Sequence, residues 1–419
     1  MASVLIILFL LGYLGIVLEH QIRLDKAATA LMTGVLCWVL FMFSGHDAEH
    51  VNHALHEQIS EVAGILFFLI GAMTIVELID LYDGFQIIVD RIRTTNKRVL
   101  LVIITALAFV LSALLDNLTT AIVMTSLTGK ILSDPRDRLL TVGMIVIAAN
   151  AGGAWSPIGD VTTTMLWIGG QVSTFGIMRS LIVPSLVATL LPLGIVLFKV
   201  KGRFAIPATT GVPRNSAIER NLIFFSGISL LLFVPVFKTI THLPPFMGMM
   251  LAVGILWMIT EMVHVRYNSD RSKPNSIFSA LERIDMPSIL FFMGILLAVG
   301  ALQGAGILRE LATWLNSSIG DETRILTAIG VLSAIFDNVP LVAAIQGMYD
   351  MQTYPTGHFF WNYLAYCAGT GGSLLIIGSA AGVAAMGIEK ISFFWYLRNM
   401  SLPALLGFGA GALTCVLLA

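Results

Sequence analysis

The sequence predicts an all-α polytopic membrane protein built from two inverted-topology repeats. Each repeat carries a re-entrant hairpin and a broken transmembrane helix, giving about ten crossings plus two hairpins. Three observations predict this. The 419 residues are 57% hydrophobic and 12% charged, with a mean hydropathy of +0.88, whereas a soluble domain carries about 25% charged residues. Apolar stretches of spanning length follow one another along the chain. Four further apolar stretches are interrupted in the middle by Asn, Asp, Gly or Pro, and these fall at matching places in the two halves.

The continuous stretches lie at 3–18, 25–43, 61–81, 176–198, 219–240, 246–264, 286–302 and 396–418. The first has no basic region before it and no small-residue cleavage site, so it reads as a permanent helix. The interrupted stretches are 98–132, 138–170, 323–350 and 359–388. Irregular backbone cannot face lipid, so each interruption should be buried against protein or line a cavity. Basic residues at Arg23 and Lys26, and in 91–98, 130–138, 199–220 and 266–283, place those loops in the cytoplasm. The segments 44–60, 241–246 and 351–358 carry no Lys or Arg and should face outward; both termini then lie outside, on the periplasmic side if the membrane is bacterial. The assignment closes only if 98–132 and 323–350 return to the side they entered.

Local repeats support a duplication. Ile65, Leu66, Phe67 and Phe68 recur as Ile289, Leu290, Phe291 and Phe292; Asp116 and Asn117 recur as Asp337 and Asn338; Gly152 and Gly153 recur as Gly371 and Gly372. The division that follows is 1–60 for N-terminal helices, 61–199 for the first repeat, 200–218 for a Pro- and Thr-rich cytoplasmic linker, 219–285 for connecting helices, and 286–419 for the second repeat. Amphipathic surface segments are expected at 83–95 and 305–319.

Paired breaks in two halves are the best sequence pointer to a transport site. A carboxylate in hydrocarbon is costly unless it meets a cation, a proton or water. Asp116 and Asp160 are therefore expected at the midplane, holding a dehydrated cation in competition with protons, with Asp337 beside them. Such competition requires pKa values near the working pH, set by burial and by like-charge neighbours. The structural alternative is a helix cap, since Asp ahead of Asn-x-Thr can cap a returning helix. Asn117, Thr119, Thr120, Asn150, Ser156, Thr162, Asn338, Ser373 and Ser379 are neutral oxygen donors at the breaks, each also able to serve as a cap or packing group. Carbonyls freed by the glycines and Pro157 could complete a hard-cation shell, and half-helix C-termini facing the centre would add negative potential. Glu77 and Asp80, three apart on one helix face, read as a proton pathway or as interfacial acids in water. His46, His50, His53 and His56 read as a solvated outward loop, with a pH sensor or adventitious metal site as the alternative.

With these residues in view, the chain resembles the NhaD-type sodium/proton antiporters of the ion transporter superfamily. The likeness is carried by 72–80 with Gly84 and Phe85, by Asp116 to Thr120, by Asn150 to Gly153, by Ser156 to Thr163, and by Asp337 to Pro340. It implies exchange of Na⁺ or Li⁺ for H⁺, a homodimer and a bacterial inner membrane, with Asp116 and Asp160 as ligands of the transported metal ion. Dicarboxylate carriers of that superfamily have a neutral Ser-Asn-Thr at both hairpin tips. Here Asp116 and Asp337 stand first, and an ionised Asp at ~4 Å would repel an anion by several kcal/mol in a poorly screened site.

Other classes find less support. The net charge of −1 and the lack of a basic, aromatic-studded patch exclude nucleic acid. HExxH, a Ser nucleophile motif and a P-loop are missing, which argues against an enzyme or a resident cofactor. Cys37, Cys367 and Cys415 lie within apolar segments without CxxC spacing and read as packing residues. The rivals that remain are a sodium-coupled organic anion symporter, an arsenite-type exporter and a passive channel.

Overall fold

The computed structural model describes residues 2–45, 47–89, 91, 92, 94–204, 216–267 and 276–419. It is all-helical, and among the described residues seven helices are long and apolar enough to cross a membrane. They are Ala48–Leu81, Lys97–Leu115, Thr174–Leu197, Ala217–Thr241, Pro245–Val263, Met286–Gly304 and Ser401–Leu418. Ala2–Val17 and Lys26–Met42 are apolar and a little shorter. The family of elements is that of a polytopic membrane protein.

The interruptions fall where the sequence places them. Lys97–Leu115 and Asn117–Ile131 pack together and meet at Asp116. Pro135–Ala154 gives way to Val161–Ile168 across the Trp155–Asp160 break. In the second half Glu322–Leu332 is followed by Asn338–Met348, and Phe359–Gly371 by Ala380–Glu389. Each second member begins with a side-chain cap: Asp116 accepts from Thr119 N, Asp160 from Thr162 N, Asp337 from Val339 N and Ser379 from Gly382 N. Capping satisfies donors that would otherwise be orphaned at depth.

Two sets of contacts recur at the spacing of the sequence repeat. Ser112 Oγ donates to Ala149 O at 2.5 Å, and Ser333 Oγ donates to Ala368 O at 2.9 Å. A Cβ on Gly159 would lie 2.7 Å from Ser112 O, and one on Gly378 2.5 Å from Ser333 O. In both places a glycine lets one interrupted stretch lie directly on the backbone of the other. Lys26–Met42 packs on Met286–Gly304, and Pro245–Tyr267 packs on Ala48–Leu81. A Cβ on Gly34 would lie 2.5 Å from Gly294 O, so the first of these contacts is backbone to backbone. Thr174–Leu197 and Ser401–Leu418 pair likewise.

Three features differ from the sequence reading. The segment 44–60 is not an outward loop: from Ala48 it is continuous with the helix that ends at Leu81. His53 and His56 are therefore helical and exposed, with His53 Nδ1 3.6 Å from Glu57 Oε1 and His56 Nδ1 2.7 Å from Asn52 O; His46 lies outside the described residues. No cluster suited to a metal occurs among the described residues. The stretch 396–418 is divided at Met400 into Phe393–Asn399 and Ser401–Leu418. Of the amphipathic segments, Ile307–Ser318 is a surface helix with Ile307, Leu308 and Ala312 inward, whereas 83–95 holds only the short helix Gln86–Val89 among its described residues. Most of the linker, 205–215, lies outside the described residues.

Candidate functional site

Asp160 is the hub. Its carboxylate is 2% exposed and receives hydrogen bonds from both halves of the chain. Thr162 N and Thr162 Oγ1 donate to Oδ1 at 2.9 and 3.0 Å. Asn117 Nδ2 donates to Oδ2 at 2.7 Å, and Asn338 Nδ2 lies 3.4 and 3.3 Å from the two oxygens. Asn117 also reaches Asn150 Oδ1 at 3.1 Å, and Asn150 Nδ2 donates to Ser379 Oγ at 2.9 Å. Thus Asn117, Asn150, Asp160, Asn338 and Ser379 form one buried network across the two halves.

Asp116, Asn117, Asp160, Asp337 and Asn338 line a single cavity of about 30 Å³, with Phe68, Phe292 and Thr164 among its apolar and polar walls. Asp116 is held by Thr119 N at 2.8 Å and Thr119 Oγ1 at 3.0 Å. Its backbone has φ 84°, a region that costs a non-glycine residue about 1–3 kcal/mol and that persists only where surrounding structure enforces it. Among the described residues neither Asp116 nor Asp160 has a Lys, Arg or His within ion-pair distance. Asp337 does: Lys26 Nζ stands 4.0 Å from Oδ2.

The other predicted residues divide by distance from this cavity. Thr162, Thr119, Asn150 and Ser379 stand one hydrogen bond behind the carboxylates or amides. The Thr120 hydroxyl is fully buried without a hydrogen-bond partner, on the same short helix as Asn117. Ser156 and Ser373 do not join the network. Ser156 Oγ faces Ile158 N at 3.4 Å, and Ser373 Oγ donates to Thr370 O at 2.7 Å, closing the end of its half-helix. Both are buried helix-end groups, as their place beside glycines already allows.

One electrostatic expectation is corrected. The cavity is lined by residues at the N-terminal ends of Asn117–Ile131, Val161–Ile168, Asn338–Met348 and Ala380–Glu389, not by the C-terminal ends of the preceding half-helices. N-terminal ends present N–H groups and partial positive charge. Asp116, Asp160 and Asp337 accept from these N–H groups as caps and are the acidic groups lining the cavity.

Glu77 and Asp80 are not in this cavity. They line a larger one of about 500 Å³ with Asp83, Lys130, Arg283 and Asp285. Met73 and Leu118 line both cavities, and Thr119 lines the larger one. Sequence reading missed Met73, Leu118, Thr164 and Lys26; the first two resemble any apolar wall residue, and Lys26 reads as an ordinary loop charge.

Two interrupted helices and two helix pairs converge on the cavity lined by Asp116, Asp160 and Asp337, an arrangement that fits a membrane transporter. The chain matches the family model described as citrate transporter over residues 6–363. It is 46% identical to sodium/proton antiporter 1 of Arabidopsis thaliana, over 97% of this chain and 70% of that protein. It is 44% identical to sodium/proton antiporter 2 of the same plant over 97% of each chain. With the Na⁺/H⁺ antiporter NhaD of Alkalimonas amylolytica it shares 31% identity over 94% of this chain and 86% of that one. The chain belongs to this transporter family, on its NhaD-type sodium/proton antiporter branch. The family is one of transporters, not enzymes.

Proposed function

We propose that the protein exchanges Na⁺, or Li⁺, for H⁺ across an ion-tight membrane, by competition of cation and protons for Asp116 and Asp160. The observation that carries this reading is a buried Asp160 and a part-buried Asp116 that line one small cavity with no Lys, Arg or His within ion-pair distance among the described residues. A space of about 30 Å³ has room for roughly one or two water-sized particles. It has room for a dehydrated monovalent cation, and the acids would repel a tricarboxylate. The names of the relatives support sodium/proton antiport; the description of the family model as a citrate transporter is outweighed by the negative charge of the site.

In this reading Asn117, Asn338, Thr162 and the orphaned Thr120 hydroxyl position or complete the shell, Asn150 and Ser379 join the halves, and the Glu77–Asp80 cavity is the cytoplasmic vestibule. The recurrent contacts support two inverted repeats, whose outer helix pairs, Ala2–Val17 with Lys26–Met42 and Ala217–Thr241 with Pro245–Tyr267, correspond. Both termini lie outside, the membrane is a bacterial inner membrane and the unit is a homodimer; these rest on loop charge and resemblance. The test is Na⁺- or Li⁺-driven proton release from proteoliposomes. Asp116→Asn and Asp160→Asn should each abolish it while the protein still inserts and elutes as a single species. Wild-type exchange in either variant would remove the carboxylates from the mechanism.

A further inference from the structure

The two hairpin tips offer the same residue pair, yet only one has a counter-charge. Asp116 has no basic side chain within ion-pair distance among the described residues, whereas Asp337 Oδ2 lies 4.0 Å from Lys26 Nζ. Lys26 is not among the residues lining the cavity that contains Asp337, so it approaches the carboxylate from outside the cation space. The ammonium is held there. It sits 4.6 Å above the Phe291 ring, and Lys26 and Asp337 side chains are 25% and 17% exposed. Its chain neighbour Asp25 is occupied, accepting from Ala27 N at 2.7 Å as the cap of Lys26–Met42. The same N-terminal region touches the tip again where Tyr13 packs on Phe336, ring centroids 5.3 Å apart.

Resting on the antiport reading above, we infer that Lys26 is a tethered counter-ion that neutralises Asp337 from outside the cation cavity. Asp337 is thereby withdrawn from exchange, and the cycle runs on Asp116 and Asp160 alone, one Na⁺ against two protons. The balance closes. On one side both carboxylates release their protons and one Na⁺ binds between them; on the other Na⁺ leaves and two protons return. One net positive charge moves with the protons in each cycle. Lys26 is a positioning residue: it acts through Asp337 and does not touch the cargo.

The test is the reversal point of Na⁺ flux in proteoliposomes of the purified full chain, with membrane voltage clamped at zero by K⁺ and valinomycin. With two protons per Na⁺, a tenfold Na⁺ gradient is balanced by a pH difference of about half a unit. Lys26→Arg, which keeps the charge, should reverse at the same point. Lys26→Met leaves a third uncompensated carboxylate and should move the reversal point, and adding Asp337→Asn to it should bring the point back. A structural role alone would lower rates in Lys26→Met without moving the reversal. Reversal of the wild type at a full unit would overturn the inference, as would a Lys26→Met variant that reverses where the wild type does. Either result leaves antiport standing; the absence of any Na⁺-dependent proton flux in the wild type would remove both.

Discussion

Replacing Gly159 by Ala tests whether close backbone approach fixes the site. Gly159 directly precedes Asp160, and an added Cβ would lie 2.7 Å from Ser112 O, 2.8 Å from Gly153 Cα and 2.9 Å from Gly153 O. All three are backbone atoms, so no side chain can swing aside. Ordinary carbon-to-oxygen contacts begin near ~3.3 Å, so the hairpin and the broken helix must separate by about 0.6 Å or more. Overpacking of this kind costs about 1–3 kcal/mol. The shift is passed to the Asp160 carboxylate, and misplacement of a working group by about 1 Å costs roughly a hundredfold in rate. The assays are thermal melting in detergent and Na⁺-driven proton flux in proteoliposomes. Gly194→Ala is the control, since nothing lies within 4 Å of its added Cβ and Ala in a helix gains about 0.5–1 kcal/mol over Gly. Gly159→Ala should melt below the wild type and lose most exchange, while Gly194→Ala melts at or above it. Equal melting and equal flux for the two variants would refute the packing account.

Asp116→Gly should melt no lower than the wild type, because relief of about 1–3 kcal/mol of backbone strain offsets a lost cap of about 1 kcal/mol, while exchange disappears. Retained flux in that variant would show the Asp116 carboxylate to be a cap only. Asn117→Ala should destabilise more than Asn338→Ala, since its bond to Asp160 is 2.7 Å against 3.3 Å. A hydrogen bond to a charged group contributes about 1.5–3 kcal/mol, and differential melting reads the order directly. Glu77→Gln and Asp80→Asn should slow cation entry from the vestibule side, raising the apparent KM for Na⁺ several-fold and leaving the maximal rate largely intact. A collapse of the maximal rate instead would move these acids into the exchange step itself.

Sequence by itself determined the class of protein and where its helices are interrupted. Apolar runs of spanning length leave no soluble alternative, because the hydrophobic pattern and the cost of a buried charge are local properties of the chain. The breaks at Asp116, Asp160 and Asp337 were legible for the same reason: Asn, Gly and Pro interrupt helices wherever they stand. Tertiary structure decided which of these residues meet. Ser373 and Ser379 look alike in sequence, yet Ser379 reaches Asn150 across the halves while Ser373 closes its own helix end. The ends of four short helices turn their N-termini to the cavity, a direction no composition reveals. Lys26 and Asp337 are 311 positions apart and nevertheless form an ion pair, because Lys26–Met42 and Asn338–Met348 both pack on Met286–Gly304. Long-range electrostatics follow from that packing, and a linear chain carries no local mark of it.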